Sequence, residues 1–498
     1  MTEGREDTSP RPYTIMEISR HTVFKSLFWK FFERLGTQSA GFIVSIILAR
    51  LLMPEQYGTI ALIMIFINIC NVIIDGGLNT ALIQKKQAND TDFSTILYTS
   101  LLISVALYCL LFACAPLIAG FYRIGELTSI IRVLGVNLLF YSLNSIQRAY
   151  VSKHMLFNKL FYSSLLATII SGLIGILMAY AGWGVWALVA LNLSGTVITC
   201  VTMWYSVRWR PMLVFSTESF RGLFNYGWKI FMTSFITVIF VEMRKMCIGK
   251  LYTPRDLAYY EKGEQFPNLI MTNIFTSIQS ILLPTFSEYQ DDRAKVKNMM
   301  RSSTKMSCFV IYPLMTGMMV TAPAMIHMLL GDKWMNAVPF IQIMCIAFFF
   351  RPITISNWEA IKAMGYSDIT LKLEIVKKVI DIIILIVAIN INVLAIAWGV
   401  VLYDGICIII NLAPNARLLN YRIHEQVADA MPPLLISLAM GAIIYPLCRI
   451  GAGDLIQIIL QIIAGIAAYT GLCYMFKEES LMYLLSLVRQ RRAKGLAK

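Results

Sequence analysis

The chain has 498 residues, of which 57% are hydrophobic and only 14% charged, and its net charge is +14. A soluble domain carries about 25% charged residues, so this chain has too little polar surface for a water-soluble body of its size, and lipid must solvate much of it. The positive charge is spread over short loops and a tail holding Arg489, Arg491, Arg492, Lys494 and Lys498; anionic headgroups and the positive-inside rule put it there, which argues against nucleic acid as a partner.

In lipid every backbone polar group needs an internal partner, which leaves helices or a closed barrel. The runs Phe42–Leu48, Ile60–Ile67 and Ile382–Ile389 are apolar without alternation, so the fold class is all-α and polytopic. Residues 1–23 are polar and lack the apolar core of a secretory signal, so they are expected to form a cytoplasmic N-terminal segment. A spanning helix needs about 20 apolar residues, and that ruler gives about 14 spans. The first six lie near 24–52, 57–82, 93–119, 127–152, 158–180 and 184–207. After a cytoplasmic linker, 208–223, the next six lie near 224–250, 257–287, 299–329, 336–363, 369–389 and 393–416. A helix pair near 428–448 and 455–476 follows within 417–476, and then a basic cytoplasmic tail, 477–498. Ser216–Phe224 reads as a short amphipathic stretch on the inner surface.

Loop charges fix the orientation. With the N-terminus inside, the inner loops hold Lys85, Lys86, Lys153, Lys159, Arg208, Arg210, Arg221, Arg293, Lys295, Lys297, Arg417 and Arg422. The outer loops hold only Arg123, Arg255, Lys333 and Arg449. Both termini are therefore expected in the cytoplasm. Trp183, Trp186, Tyr205 and Trp334 sit at span ends, as aromatic belts do. The ten cysteines stand singly in apolar runs and read as small hydrophobes. The four histidines have no metal-binding spacing, and no GxxxxGK[ST] loop is present, so neither a metal, nucleotide hydrolysis nor another cofactor is expected.

The two halves repeat. Trp29-Lys30 and Trp228-Lys229 open the first and seventh spans. Arg50-Leu51-x-x-Pro54 and Lys250-Leu251-x-x-Pro254 close them, with the prolines 200 positions apart. Ala115-Pro116 and Ala322-Pro323 then end the third and ninth. The reading is two pseudo-repeated six-helix lobes, 24–207 and 224–416, plus the C-terminal pair. An even number of spans per lobe makes the repeat parallel, and such an architecture puts a substrate site between the lobes near the midplane.

Leu48–Lys86 reads LARLLMPEQYGTIALIMIFINICNVIIDGGLNTALIQKK. The segment resembles the N-terminal signature of the polysaccharide transporters, of Wzx and WzxC type, in the MOP flippase superfamily. The L-x-P-x-x-[FY]-G element is Leu52 to Gly58, the acidic-x-Gly-Leu turn is Asp75 to Leu78, and A-L-I-Q is Ala81 to Gln84. One departure is the extra glycine in Asp75-Gly76-Gly77. Gly331-Asp332-Lys333-Trp334 and Gly365-Tyr366-Ser367-Asp368 resemble the family's later G-x-x-W and G-x-x-D turns. The resemblance implies a flippase, not an enzyme, in a bacterial inner membrane. It would translocate a polyprenyl-pyrophosphate-linked oligosaccharide from the inner to the outer leaflet, by alternating access, for surface polysaccharide or lipopolysaccharide. Its partners would be that lipid-linked substrate, membrane lipids and other polysaccharide-assembly proteins. Drug antiporters and peptidoglycan-precursor flippases share the architecture and stand as the alternatives. A membrane polymerase or ligase would need a large external loop, and the outer loops here are only a few residues long.

Charges at membrane depth are costly and mark function by default. Pyrophosphate needs cations, and arginine offers it bidentate donors. The cavity cations are Arg351, Arg34, Arg244, Lys245, Lys229 and Lys30. Arg351 is the sharpest, lying between Phe348-Phe349-Phe350 and Pro352, whose missing N–H favours a kink. A structural ion pair with a neighbouring carboxylate is the competing reading. Glu33-Arg34 and Glu242-x-Arg244-Lys245 could equally neutralise themselves, and Lys30 and Lys229 could snorkel to headgroups. Coupling to H+ or Na+ would need an acid, with Asp75, Glu33, Glu242 and Glu359 as candidates; Lys262, Glu264 and Asp381 are further charges at depth.

Overall fold

The computed structural model describes residues 20–449 and 453–486. The polar segment before Arg20 and most of the basic tail lie outside the described residues. Fourteen helical rods follow one another within them as far as Met475, and a further helical stretch begins at Glu479. The first six are α1 (Arg20–Leu51), α2 (Pro54–Gln84), α3 (Asp90–Tyr122), α4 (Leu127–Lys153), α5 (Phe157–Tyr180) and α6 (Val185–Ser206). The next six are α7 (Thr217–Leu251), α8 (Pro254–Glu288), α9 (Arg293–Leu330), α10 (Asp332–Phe348 and Arg351–Ala363, bent by 40°), α11 (Ser367–Ala388) and α12 (Val393–Leu418). The last two are α13 (Ile423–Cys448) and α14 (Asp454–Met475). The expected spans are compatible with these rods in order and approximate bounds. The stretch Ser216–Phe224 is continuous with the seventh span: Ser216 Oγ accepts the Ser219 N–H at 3.2 Å, and α7 runs from that cap without interruption. A serine cap with an acid in the first turn starts a helix, and no proline follows to stop it.

Among the described residues, nine rods (α2 to α6, α9 and α12 to α14) are long and apolar enough to cross a membrane, and α10 is a tenth when its halves are joined. The other four, α1, α7, α8 and α11, carry the charges that dilute their hydropathy. In α11 the amphipathicity is inverted relative to a soluble helix. Ile375, Val379, Ile383 and Ile386 follow one another at helical spacing and are exposed, while Lys377 and Asp381 are buried on the opposite face. That is how a helix meets lipid on one side and polar protein on the other.

Within the first six rods α1 packs on α5, α5 on α6, α6 on α4 and α4 on α3. Within the second six α8 packs on α10, α10 on α12 and α11 on α12, while α9 carries α13 and α14. The two sets meet chiefly through α2, which packs on α7 and α8. Pro54 and Pro254 both stand at N1 of their helices, where the missing N–H costs nothing and the fixed φ suits the first turn. This makes tight α1–α2 and α7–α8 corners at the same end of the bundle. There the two sets touch backbone to backbone: a Cβ on Gly58 of α2 would stand 1.7 Å from the Pro254 carbonyl oxygen. Further contacts seal that end. Trp334 Nε1 donates to the Ala49 carbonyl at 2.9 Å, Arg50 Nε to Leu329 at 2.8 Å, and Lys333 Nζ to Arg50 and Leu52 at 2.7 Å each. Arg255 pairs with Glu55 at 3.3 Å.

Toward the opposite end α2 breaks at Gly76-Gly77, both with positive φ (51° and 68°). A Cβ on Gly77 would stand 2.1 Å from the Gly227 carbonyl oxygen of α7, so the second glycine of this turn is required twice over, by conformation and by contact. On the other flank Gln38 of α1 accepts from Asn273 of α8 at 2.9 Å.

Candidate functional site

The buried charges gather on the faces that α7, α8, α10, α11 and α12 turn to one another, with α2 at the margin. Glu242, on α7 and buried, accepts from Asn68 Nδ2 of α2 at 2.9 Å. Lys245, one turn on, lies 3.5 Å from Glu242 and 3.2 Å from Glu261 of α8. Its neighbour Arg244 points to α11, where Nη2 meets Asp381 Oδ1 at 2.6 Å, and it also lies against the Tyr260 hydroxyl of α8. Local neutralisation within Glu242-x-Arg244-Lys245 is therefore only half of the arrangement. Arg244 and Lys245 each also tie α7 to another helix.

Arg351 stands just past the bend of α10. The bend falls at Phe349-Phe350, within the turn preceding Pro352, as a proline without an N–H to donate would have it. Its guanidinium carbon is 3.9 Å from the centre of the Phe348 ring, and its Nε is 3.8 Å from Asp404 Oδ2 of α12. A separation of 3.8 Å is an ion pair without a hydrogen bond, and Asp404 Oδ2 is a buried oxygen with no hydrogen-bond partner. Of the cation pairs in this network the Arg351 pair is thus the loosest. Asp404 also feels Arg244, Asp381 and Lys377, so the two arginines belong to one electrostatic cluster. Lys377 of α11 completes it, 4.3 Å from the Trp358 ring centre and paired with Glu374.

The remaining predicted site residues lie elsewhere. Arg34 of α1 reaches across to α8, donating to the Thr276 hydroxyl and, at 3.0 Å, to the Thr272 carbonyl. Asp75, just before the α2 break, accepts from Tyr141 and from Asn79 at 2.7 Å each. Glu359, in the second half of α10, is buried and accepts from Gln279 at 3.2 Å and Lys362 at 2.9 Å. Lys229 is exposed on α7. Lys30 and Glu33 lie in α1, but their side chains fall outside the described residues. The structure thus brings Glu242, Arg244, Lys245 and Arg351 together and disperses the others. Sequence reasoning passed over Asp404, Glu261 and Lys377. Asp404 had a signal, being a single acid in the apolar stretch that forms α12.

This arrangement can hold an anion without being a fixed anion trap. Arg244 and Lys245 are committed to carboxylates. Arg351 has the geometry to exchange a distant carboxylate for a closer anionic oxygen, and arginine can take such an oxygen bidentately.

A family described as polysaccharide biosynthesis protein matches residues 47–339. Among characterised relatives, the teichuronic acid biosynthesis protein TuaB of Bacillus subtilis (strain 168) is 23% identical over 81% of this chain and 84% of its own. The succinoglycan biosynthesis transport protein ExoT of Rhizobium meliloti (strain 1021) is 21% identical over 96% and 98%. The lipopolysaccharide biosynthesis protein WzxC of Escherichia coli (strain K12) is 19% identical over 68% and 69%. Among solved structures, the lipid II flippase MurJ in an inward closed conformation superposes with a TM-score of 0.72 at 16% identity, covering 91% of this chain and 98% of that one. An inward-facing multidrug resistance MATE family transporter of the MOP superfamily gives 0.60 at 14%, covering 78% and 96%. These two likenesses establish the fold.

Proposed function

Because the chain belongs to the polysaccharide biosynthesis protein family, matched over residues 47–339, we propose that its cargo is an oligosaccharide linked to a polyprenyl pyrophosphate. The protein is a multi-pass membrane transporter of that family with the MOP-type fold. In our reading it moves this lipid from the inner to the outer leaflet of a bacterial cytoplasmic membrane, with both termini in the cytoplasm. The Pro54/Pro254 end then faces outward. Helices α1 to α6 and α7 to α12 act as two lobes that rock against each other, with the charged cluster inside the second lobe and touching α2 of the first through Asn68, while α13 and α14 flank the second lobe.

The observation that carries the substrate reading is the loosely paired Arg351 within a buried charged cluster of a chain otherwise solvated by lipid. A loosely paired guanidinium would repel a cationic drug, whereas it can take a pyrophosphate oxygen. The polyprenyl tail stays in lipid at the gap between lobes as the sugar crosses through the polar interior. TuaB, ExoT and WzxC are all named for saccharide polymers, which supports a saccharide cargo here. Uphill transport would couple to H+ or Na+ through an acid at membrane depth, with Asp75, Glu33, Glu242 and Glu359 as the candidates. The polysaccharide-assembly proteins of the same pathway would supply and consume the cargo. Translocation of a labelled polyprenyl-pyrophosphate oligosaccharide in proteoliposomes tests the reading. Transport that disappears on removing the pyrophosphate from the probe supports it. Equal transport of a neutral polyprenyl glycoside would overturn it.

A further inference from the structure

One buried cation stands outside the Arg351 cluster. Lys262 lies on α8 about 12 Å along the helix from Pro254, at 1.5 Å per residue, and is only 7% exposed. Its ammonium crosses between the two sets of helices, donating to Ser45 Oγ of α1 at 2.9 Å and to Gln265 Oε1 of its own helix at 2.9 Å. It also lies 4.7 Å from the centre of the Tyr57 ring of α2 and 5.9 Å from that of Trp334 of α10. No carboxylate is within ion-pair distance of it among the described residues. The adjacent Glu261 is given to Lys245 instead, at 3.2 Å.

Two consequences follow from this placement. Lys262 bridges α8 to α1 and α2 beside the contact of Gly58 with Pro254, so that end cannot open unless the ammonium leaves Ser45 and Tyr57. An ammonium is also strongly hydrated, and a hydroxyl, an amide and two ring faces replace its water only in part. Outside the pocket it would regain water or take an anion. An anion that can reach Lys262 only when the lobes have parted therefore favours the parted state, as any ligand with unequal affinity for two conformations must. Glu261, the residue before it, belongs to the charged network through Lys245, so α8 carries both Lys262 and one margin of that network.

We propose that Lys262 is a positioning residue for translocation, a latch that holds the Pro54/Pro254 end shut until the cargo's pyrophosphate draws its ammonium out of the Ser45–Tyr57–Trp334 pocket. The proposal rests on the flippase reading and adds a step to it. The test is amide hydrogen exchange by mass spectrometry on the full-length protein in nanodiscs, following peptides that cover residues 49–58 and 328–334, with and without inorganic pyrophosphate. Wild type should exchange faster at both segments with pyrophosphate, on the order of fivefold, the lower range of allosteric couplings. Lys262→Gln, which keeps a donor for Ser45, and Lys262→Met, which keeps the apolar stem, should lose that response, and Lys262→Arg should retain it. Thermal melting of each variant shows that it is folded. A wild type indifferent to pyrophosphate, or a folded Lys262→Gln that still responds, overturns the latch. Translocation of the lipid-linked probe by wild type, measured alongside, shows whether the flippase reading stands when the latch does not.

Discussion

Gly58 is the point at which a single methyl group should reset the transporter. A Cβ there would stand 1.7 Å from the Pro254 oxygen and 2.3 Å from its carbonyl carbon, where ordinary contact begins at 3.4 Å. Both atoms are backbone at the start of α8, so no side chain can swing aside, and the two helix ends must separate by about 1.7 Å to admit the methyl. Overpacking of this kind costs about 1–3 kcal/mol. It is paid only in the state with that end shut, so Gly58→Ala should shift the balance toward the parted state by about 5–150-fold. The assay is labelling of a Leu52→Cys reporter, in a cysteine-free background, by a membrane-impermeant maleimide. Leu52 is 3% exposed, and its carbonyl accepts from Lys333 across the seal. Labelling should rise steeply in Gly58→Ala and stay at the wild-type rate in Gly120→Ala, where an added Cβ meets nothing within 4 Å. Gly58→Ala that labels and melts as wild type does would refute the reasoning.

Three other substitutions test separate parts of the structure. Gly77→Ala forces a residue with a Cβ into positive φ and against the Gly227 carbonyl; with about 1–2 kcal/mol for the conformation alone, its melting temperature in detergent should fall, whereas an unchanged value would mean that α2 does not need the break. Arg244→Met leaves the buried Asp381 without its partner, at a cost of about 3–5 kcal/mol, and adding Asp381→Leu should restore most of the thermal stability; a double variant as unstable as the single one would place Arg244's role elsewhere. Asp404→Asn removes the charge that competes for Arg351, so the folded variant should bind inorganic pyrophosphate about tenfold more tightly by calorimetry, about 1.4 kcal/mol, because the ion pair no longer has to be given up; weaker binding would show that Asp404 orients Arg351 instead of competing for it.

The rods were legible in the sequence because lipid allows few alternatives: uninterrupted apolar runs of spanning length can only be helices. The repeat was legible through Pro54 and Pro254, whose place at N1 is a local matter of backbone chemistry. The signature glycine Gly58 was visible as a letter but not as a reason, since its neighbour Pro254 belongs to another helix nearly 200 positions away. Pairing fails to show for the same cause. Arg244 and Asp381 are 137 positions apart and were both noticed as charges at depth, but nothing in the sequence joins them. Lys262 needs four helices to acquire its pocket. Asp404 is a lone acid in an apolar run, and its burial follows from that run as much as Asp381's does, but its partner Arg351 belongs to another helix. The helical start of α7 at Thr217 was overlooked because polar residues there suggested a surface segment, although Ser216 with Glu218 two residues on is a cap.

The central claim is that a lipid-linked pyrophosphate crosses the membrane by way of Arg351. The direct measurement is transbilayer movement of a labelled polyprenyl-pyrophosphate oligosaccharide in proteoliposomes, with wild type, Arg351→Ala and Arg351→Lys compared at matched reconstitution. The account predicts movement by wild type, its loss in Arg351→Ala, and partial movement in Arg351→Lys, which keeps the charge and loses the planar fork. Movement by Arg351→Ala at the wild-type rate, in a variant that melts normally, would contradict it.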